Sequence, residues 1–255
     1  DKTGTLTEGT VALQQSLDAS GVQSPRVFEL AFANAVLETG IENPLDEAIV
    51  AAGHAAGMDA VRWRKHDEIP YDFQRRRLSI LVEQAGDGLL ITKGAVDQVL
   101  EICSQVRAPQ GSVALDATWL ARLQAQCAQL GQSGLRVLAI ATRVLPGQQL
   151  CARSDENGMM LEGLITFLDP LRPDARETIA ALQASGITVK VISGDNRFVG
   201  AHIAAQLGLD SSAIIRGCDV DQAGGALRQL AERGSLFVEI DPQQKERLVR
   251  ALQQS

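Results

Sequence analysis

Past Gly158 the sequence settles into a rhythm that constrains the fold more than any other feature. The apolar runs "MMLEGLITFLD", "ITVKVISGD" and "LFVEID" and the shorter "AIIRG" alternate with stretches of helical spacing. Those stretches are "DARETIAALQAS", "RFVGAHIAAQLG", "DQAGGALRQLAER" and "PQQKERLVRALQ". Continuous apolar runs read as strands buried on both faces, and the amphipathic segments between them as the helices that cover those faces. Such alternation predicts a parallel sheet covered on both sides, and hence an α/β class for this part of the chain.

The preceding part has a different character. "RVFELAFANAVLE", Arg26 to Glu38, carries apolar residues at helical spacing. A second helix is expected at "NPLDEAI", with Asn43 as its cap, Pro44 at its first position and Asp46 and Glu47 in its first turn. It should end near Gly53 or Gly57. "RLSILVEQ" and "GLLITKG" read as strands joined by a turn at "AGDG". "AVDQVLEICSQV" and "DATWLARLQAQCAQL" read as helices and "LRVLAIATRVL" as a strand, so residues 11 to about 155 form an α+β pattern.

Composition narrows the function. The chain has 255 residues, with 24 Lys and Arg against 31 Asp and Glu, a formal charge of −7. That balance argues against nucleic acid as the main partner, while small phosphorylated ligands need only a few local cations. Cys103, Cys127, Cys151 and Cys218 form no Cys-x-x-Cys pair and read as reduced thiols. His54, His66 and His202 stand alone and read as packed or solvated side chains. No apolar run approaches the roughly 20 residues of a membrane helix.

Three stretches carry chemistry. In "DKTGTLT" an aspartate is followed by a lysine and a glycine-containing loop, which suits carboxylate attack on a phosphoryl group with charge neutralised nearby. In "VISGD", Val191 to Asp195, a serine hydroxyl and a glycine N–H stand at the end of a predicted parallel strand, where open α/β sheets bind ligands. In "DPQQKERLV", Lys245 follows another strand by a few residues. Taken singly, each reads equally as a turn, a strand-to-helix connection or a solvated charge.

Together, "DKTGTLT", "KGA", "DPLRP", "SGD" and a late lysine, in that order, resemble the P-type cation-transporting ATPases of the haloacid dehalogenase superfamily. "DEIPYDFQRRRLSI", "KGA…EICSQVR" and "GLRVLAIAT" look most like the bacterial magnesium-importing branch. The resemblance implies a haloacid dehalogenase-like (Rossmann-type) phosphorylation domain, residues 1–12 and 156–255, incomplete at both ends. Into it an α+β nucleotide-binding domain, residues 13–155, with an antiparallel sheet plus helices, would be inserted. It implies ATP and Mg2+ as ligands, and a parent protein with membrane and actuator domains at the cytoplasmic face of a bacterial membrane. It also implies a piece of a longer chain, beginning at the catalytic residue and stopping before the family's Gly-Asp-Gly-x-Asn-Asp segment.

Roles follow position by position. Asp1 resembles the nucleophile that takes the γ-phosphoryl of ATP, with Lys2 and Thr3 at the phosphate and Asp1 and Thr3 at Mg2+. Ser193, Gly194 and Asp195 match the family's Thr-Gly-Asp, with serine keeping the hydroxyl. Lys245 matches the lysine that holds phosphate, and Asp169 and Arg172 match a segment at the domain junction. Tyr71 stands where the family usually has an adenine-stacking phenylalanine. Asp46 matches an acidic residue near the adenine amino group, or serves the helix dipole. Lys93 and Gly94 match the pair lining the nucleotide pocket, where glycine lets ligand approach the backbone. Arg136 matches an arginine that meets the ATP phosphates, or is a charge at a strand edge.

Glu239 departs from the family, which more often has arginine there, and is given no catalytic role. A soluble haloacid dehalogenase-type phosphatase is the rival enzyme, and an ATP-binding module or a Ca2+ or H+ pump are further alternatives. Phosphatases of that kind carry Asp-x-Asp, whose second aspartate does acid–base work. Thr3 cannot do that work, so an aspartyl phosphate at Asp1 should persist.

Overall fold

The computed structural model describes residues 4–40, 43–84, 86–210 and 214–253. The chain divides into two compact units: Val11–Cys127 with Val137–Leu168, and Asp1–Thr10 with Ala128–Arg136 and Asp169–Ser255.

The unit containing Val11–Cys127 is built on a mainly antiparallel sheet. Its strands are β1 (Ala12–Asp18), β2 (Lys65–Asp72), β3 (Arg77–Gln84), β4 (Asp87–Ala95), β5 (Cys103–Ala108), β6 (Gly111–Ala114), β7 (Arg136–Leu145) and β8 (Met159–Leu168). They lie in the order β2–β3–β4–β7–β8–β5–β6, with β1 also paired to β8. Its helices are α1 (Pro25–Leu37), α2 (Pro44–Ala55), a single turn α3 (Val96–Leu100), and α4 (Ala117–Gln132), which runs on past Cys127. Both long N-terminal helices start as their local chemistry dictates. Ser24 Oγ accepts from Val27 N at 3.3 Å, Asn43 Oδ1 accepts from Leu45 N at 3.0 Å, and Pro25 and Pro44 occupy first-turn positions. Phe32 and Ile49 from these helices pack on Ile80, Ile91, Ile140 and Ile165 of the sheet. At the contact between the helices a Cβ on Gly53 would stand 2.1 Å from the Phe32 ring, so glycine is what lets α2 approach.

Two segments of this unit depart from the sequence-based reading. "AVDQVLEICSQV" is not one helix: after α3 the chain extends into β5, which pairs with β6 and, in parallel, with β8. Val106 buried between Val113 and Leu161 outweighs the local helical spacing. Strand β8, expected to open the parallel sheet, lies instead in the large sheet beside β1 and β5, so this unit ends at Leu168. A strand apolar on both faces announces a central position, but not in which sheet.

The other unit contains a parallel sheet in the order β10–β11–β9, from β9 (Val191–Ile192), β10 (Ile214–Arg216) and β11 (Leu236–Val238). Around it stand α5 (Ala175–Ala184), α6 (Arg197–Leu207), α7 (Gly217–Gln222), α8 (Leu227–Arg233) and α9 (Pro242–Gln253). Leu236 and Val238 pack with Ile179, Val199 and Ile203, while Phe237 packs with Ala231 and Leu248. Alternate residues of one strand thus feed two cores, the signature of a sheet covered on both faces. "DQAGGALRQLAER" is interrupted at Gly224–Gly225 rather than continuous, as two poor helix formers in succession allow. Leu6, Thr7 and Glu8 lie along "DPLR": Thr7 bridges to Leu171, Glu8 N donates to Pro170 O at 3.0 Å, and Arg172 N donates to Leu6 O at 2.9 Å. Among the described residues no helix is long and apolar enough to cross a membrane. The four cysteines are free, and burial pushes the Cys103, Cys127 and Cys151 thiols up to about 12.

Candidate functional site

The large sheet gathers an unusual set of charges at one edge of the α1–α2 layer. Lys93 on β4 is 3% exposed, and its ammonium donates to Asp46 Oδ1, in the first turn of α2. Glu38, just past α1, brings Oε2 to 3.8 Å from the same ammonium. Two carboxylates therefore share one buried cation. Glu38 Oε2 and Asp46 Oδ2 are buried with no donor, as is Asn34 Oδ1, whose amide group donates to Ile91 O at 2.8 Å. Burial first, and then Asp46, pushes the Glu38 carboxyl up to about 7, with Lys93 opposing and Glu68 adding to the rise. Strand β2 closes the cluster. Lys65 donates to Leu37 O at 2.8 Å and to Glu68 Oε2 at 2.6 Å, and Thr39 N donates to Glu68 Oε2 at 3.2 Å. Burial works against ionised Glu68, but the Lys65 and Thr39 bonds outweigh it and hold its pKa below the usual range.

Tyr71 lies two strands away at the same end of the sheet, since Asp72 pairs with Arg77 and Arg77 with Gly94. It is 46% exposed and meets the 63%-exposed Phe73 edge to face, with ring centroids 5.4 Å apart. The pair leaves apolar ring surface exposed at the turn that joins β2 and β3. Gly94 has a packing reason: a Cβ there would stand 2.6 Å from Arg76 O and 2.5 Å from Arg77 Cβ.

In the other unit Ser193 and Asp195 follow β9 and are almost wholly buried. Ser193 Oγ donates to Asp195 Oδ2 and accepts from Asp195 N, both at 3.1 Å. Arg136, about half-exposed at the start of β7, brings Nη1 to 3.8 Å from Asp195 Oδ1. Lys245 lies in the first turn of α9, its N–H donating to Asp241 O at 2.9 Å. Glu239 has a left-handed φ of 58°, and its carboxylate accepts from Arg197 N at 3.3 Å. Arg172 pairs with Asp174 at 3.3 Å beside Asp169. Asp1, Lys2 and Thr3, and with them the expected Mg2+ ligands, lie outside the described residues.

A family model described as "P-type ATPase, cytoplasmic domain N" matches residues 25–174, more than half of the chain. The chain belongs to the P-type ATPases. Among P-type ATPases it is 40% identical over 257 residues to "Magnesium-transporting ATPase, P-type 1" of Escherichia coli (strain K12), covering 99% of this chain and 29% of that protein. Identity to the protein of the same name from Salmonella typhimurium (strain 14028s) is 41%, over 99% of this chain and 28% of that one. It is 24% to "Calcium-transporting ATPase type 2C member 1" of Mus musculus, over 100% of this chain and 31% of that one. The chain thus spans less than a third of the length of the curated relatives it matches.

Within this P-type ATPase chain the sequence pattern left three site residues unread: Glu38, Phe73 and Glu68. Phe73 carried a weak signal, an aromatic two residues from Tyr71, but it lies in the turn just past β2, where strand alternation does not set its direction. Glu38 carried none, because it becomes important only through burial beside Asp46.

Proposed function

We propose that the chain is the cytoplasmic catalytic portion of a P-type ATPase that uses ATP to move Mg2+ across a bacterial membrane. The observation that carries this reading is the buried Lys93–Asp46 pair, with Glu38 beside it, at the sheet end that presents Tyr71 and Phe73. Asp46, at the start of α2 beside Lys93, is the acceptor that would take the adenine amino group, and the purine ring is the flat ligand the aromatic pair fits. Lys93 supplies cationic charge and Gly94 keeps β4 close to the hairpin, while Arg136, which is grouped with the other unit, is assigned to the ATP phosphates on the family resemblance alone. The Val11–Leu168 unit is accordingly assigned as the nucleotide-binding domain, ending later than the boundary at 155 read from the sequence.

The unit holding the parallel sheet is assigned as a haloacid dehalogenase-like phosphorylation domain. An Asp1 carboxylate oxygen bonds to the γ-phosphorus as the bond from that phosphorus to the β–γ bridging oxygen breaks, and ADP leaves. The Ser193 hydroxyl, the Gly194 N–H and Lys245 hold the phosphoryl group, Asp195 fixes the Ser193 hydroxyl, Lys2 adds charge, and Asp169 and Arg172 shape the junction. Mg2+, at Asp1 and Thr3, supplies charge neutralisation when bound. The partners would be the parent's own membrane and actuator domains.

Calorimetry tests nucleotide binding. Tyr71→Ala should weaken ATP by about 1–3 kcal/mol through lost ring contact, and Lys93→Glu should weaken ATP more than adenosine. Unchanged ATP affinity in both variants would refute the site. Transport is tested with the intact parent in bacteria lacking other Mg2+ uptake. Growth at limiting Mg2+ that survives Asp1→Asn would refute the phosphoenzyme reading.

A further inference from the structure

Glu156 lies between β7 and β8, far in sequence from the hairpin that carries Tyr71, and its side chain is fully buried. Arg75 Nη1 donates to both of its oxygens, at 2.7 and 2.6 Å, Arg77 Nε donates to Oε2 at 3.0 Å, and Ser79 Oγ donates to Oε1 at 2.7 Å. Ser79 in turn shares a 2.6 Å hydrogen bond with Thr92 on β4. A carboxylate taken this far out of water is tolerated only with such a set of charged partners.

The partners are what make it informative. Arg75 and Arg77 flank Arg76, whose φ of 47° is a left-handed conformation that a side-chain-bearing residue holds only when its surroundings impose it. Arg75 Nη2 also donates to Pro70 O at 2.6 Å, directly before Tyr71, and Arg77 Nη1 donates to Gln98 O at 3.0 Å. At the turn, the Asp72 carboxylate accepts from Gln74 N at 2.7 Å and Arg75 N at 3.1 Å. One buried carboxylate therefore ties together both sides of a strained turn, the strand behind it and the residue before the aromatic pair.

We infer that Glu156 is the positioning residue of this hairpin, setting through Arg75 and Arg77 the orientation in which Tyr71 and Phe73 meet the nucleotide base. Its functional half rests on the nucleotide reading above; its geometric half does not. Glu162 provides the contrast. Its side chain is also fully buried, and it takes Arg26 at 3.0 Å, Arg107, and Thr142 at 2.6 Å, from α1, β5 and β7 rather than from the hairpin.

Tyr71 is the single tyrosine in the chain, so 13C-tyrosine labelling reports one ring in NMR spectra. Glu156→Gln should shift and broaden that signal and weaken ATP about tenfold or more, the equilibrium effect of leaving a charged hydrogen-bond partner unsatisfied. Glu162→Gln, folded to the same degree by circular dichroism, should leave both readouts at wild-type values. If Glu156→Gln does not fold, Arg77→Lys, which keeps the charge but loses the Nε bond, carries the same expectation. An unmoved Tyr71 signal in a folded Glu156→Gln or Arg77→Lys chain overturns the inference, and so does an equal response to Glu162→Gln. A Tyr71 shift specific to Glu156, in a chain whose wild type binds no ATP, upholds the positioning role and removes the nucleotide reading.

Discussion

Replacing Glu38 by glutamine should change how stability depends on pH, and the structure sets the size of the change. The carboxyl is pushed from its ordinary 4.5 up to about 7, mainly because ionising it means burying a charge beside Asp46, with Lys93 only partly compensating. That gap corresponds to about 3 kcal/mol. Below pH about 4.5 Glu38 is protonated in folded and unfolded chains alike and costs nothing. As pH rises toward about 7 the unfolded chain releases the proton while the folded chain keeps it, so stability falls across that window and stays lower above it. Glutamine fills the same space without ionising. Trp63 and Trp119, the two tryptophans, both belong to the Val11–Leu168 unit, so their fluorescence follows the unfolding of that unit in urea. The stability of Glu38→Gln relative to wild type should rise by about 3 kcal/mol between pH about 4 and about 8. Titrating groups that do not interact with Glu38 are common to both chains and cancel in the difference, whereas Asp46, Lys93 and Glu68 contribute to it through their coupling to Glu38. A constant difference between the two chains across that range would refute the reasoning.

Two further outcomes follow from the same packing. Gly94→Ala should destabilise the Val11–Leu168 unit by about 1–3 kcal/mol, because the new Cβ meets Arg76 O at 2.6 Å and neither strand has room to withdraw; a urea midpoint equal to wild type would contradict it. Asn43→Ala removes the acceptor for Leu45 N and should cost about 1 kcal/mol, whereas Asn43→Asp, which retains an acceptor, should cost far less in the same titration.

What the sequence determined by itself is what depends on neighbours a few residues away. The Asn43 cap followed by Pro44 places the start of α2, because capping is chemistry between adjacent residues; the same device at Ser24 and Pro25 starts α1, one residue before the apolar spacing that marks that helix. The alternation past Gly158 announces a parallel sheet covered on both faces, because strand and helix periods are local, although its first run went to the other sheet. Tertiary structure decided everything that depends on which distant segment supplies a partner. Val106 became strand rather than helix because Val113 and Leu161 bury it. Met159–Leu168 joined the antiparallel sheet because β1 and β5 offered it edges, a choice its apolar run could not encode. The candidate site divides in the same way. Tyr71, Lys93 and Asp46 were legible as residues, but the buried pair formed by Lys93 and Asp46 spans 47 positions. Glu156 reaches Arg75 across 81 positions, and no local pattern marks a carboxylate whose importance comes from being out of water.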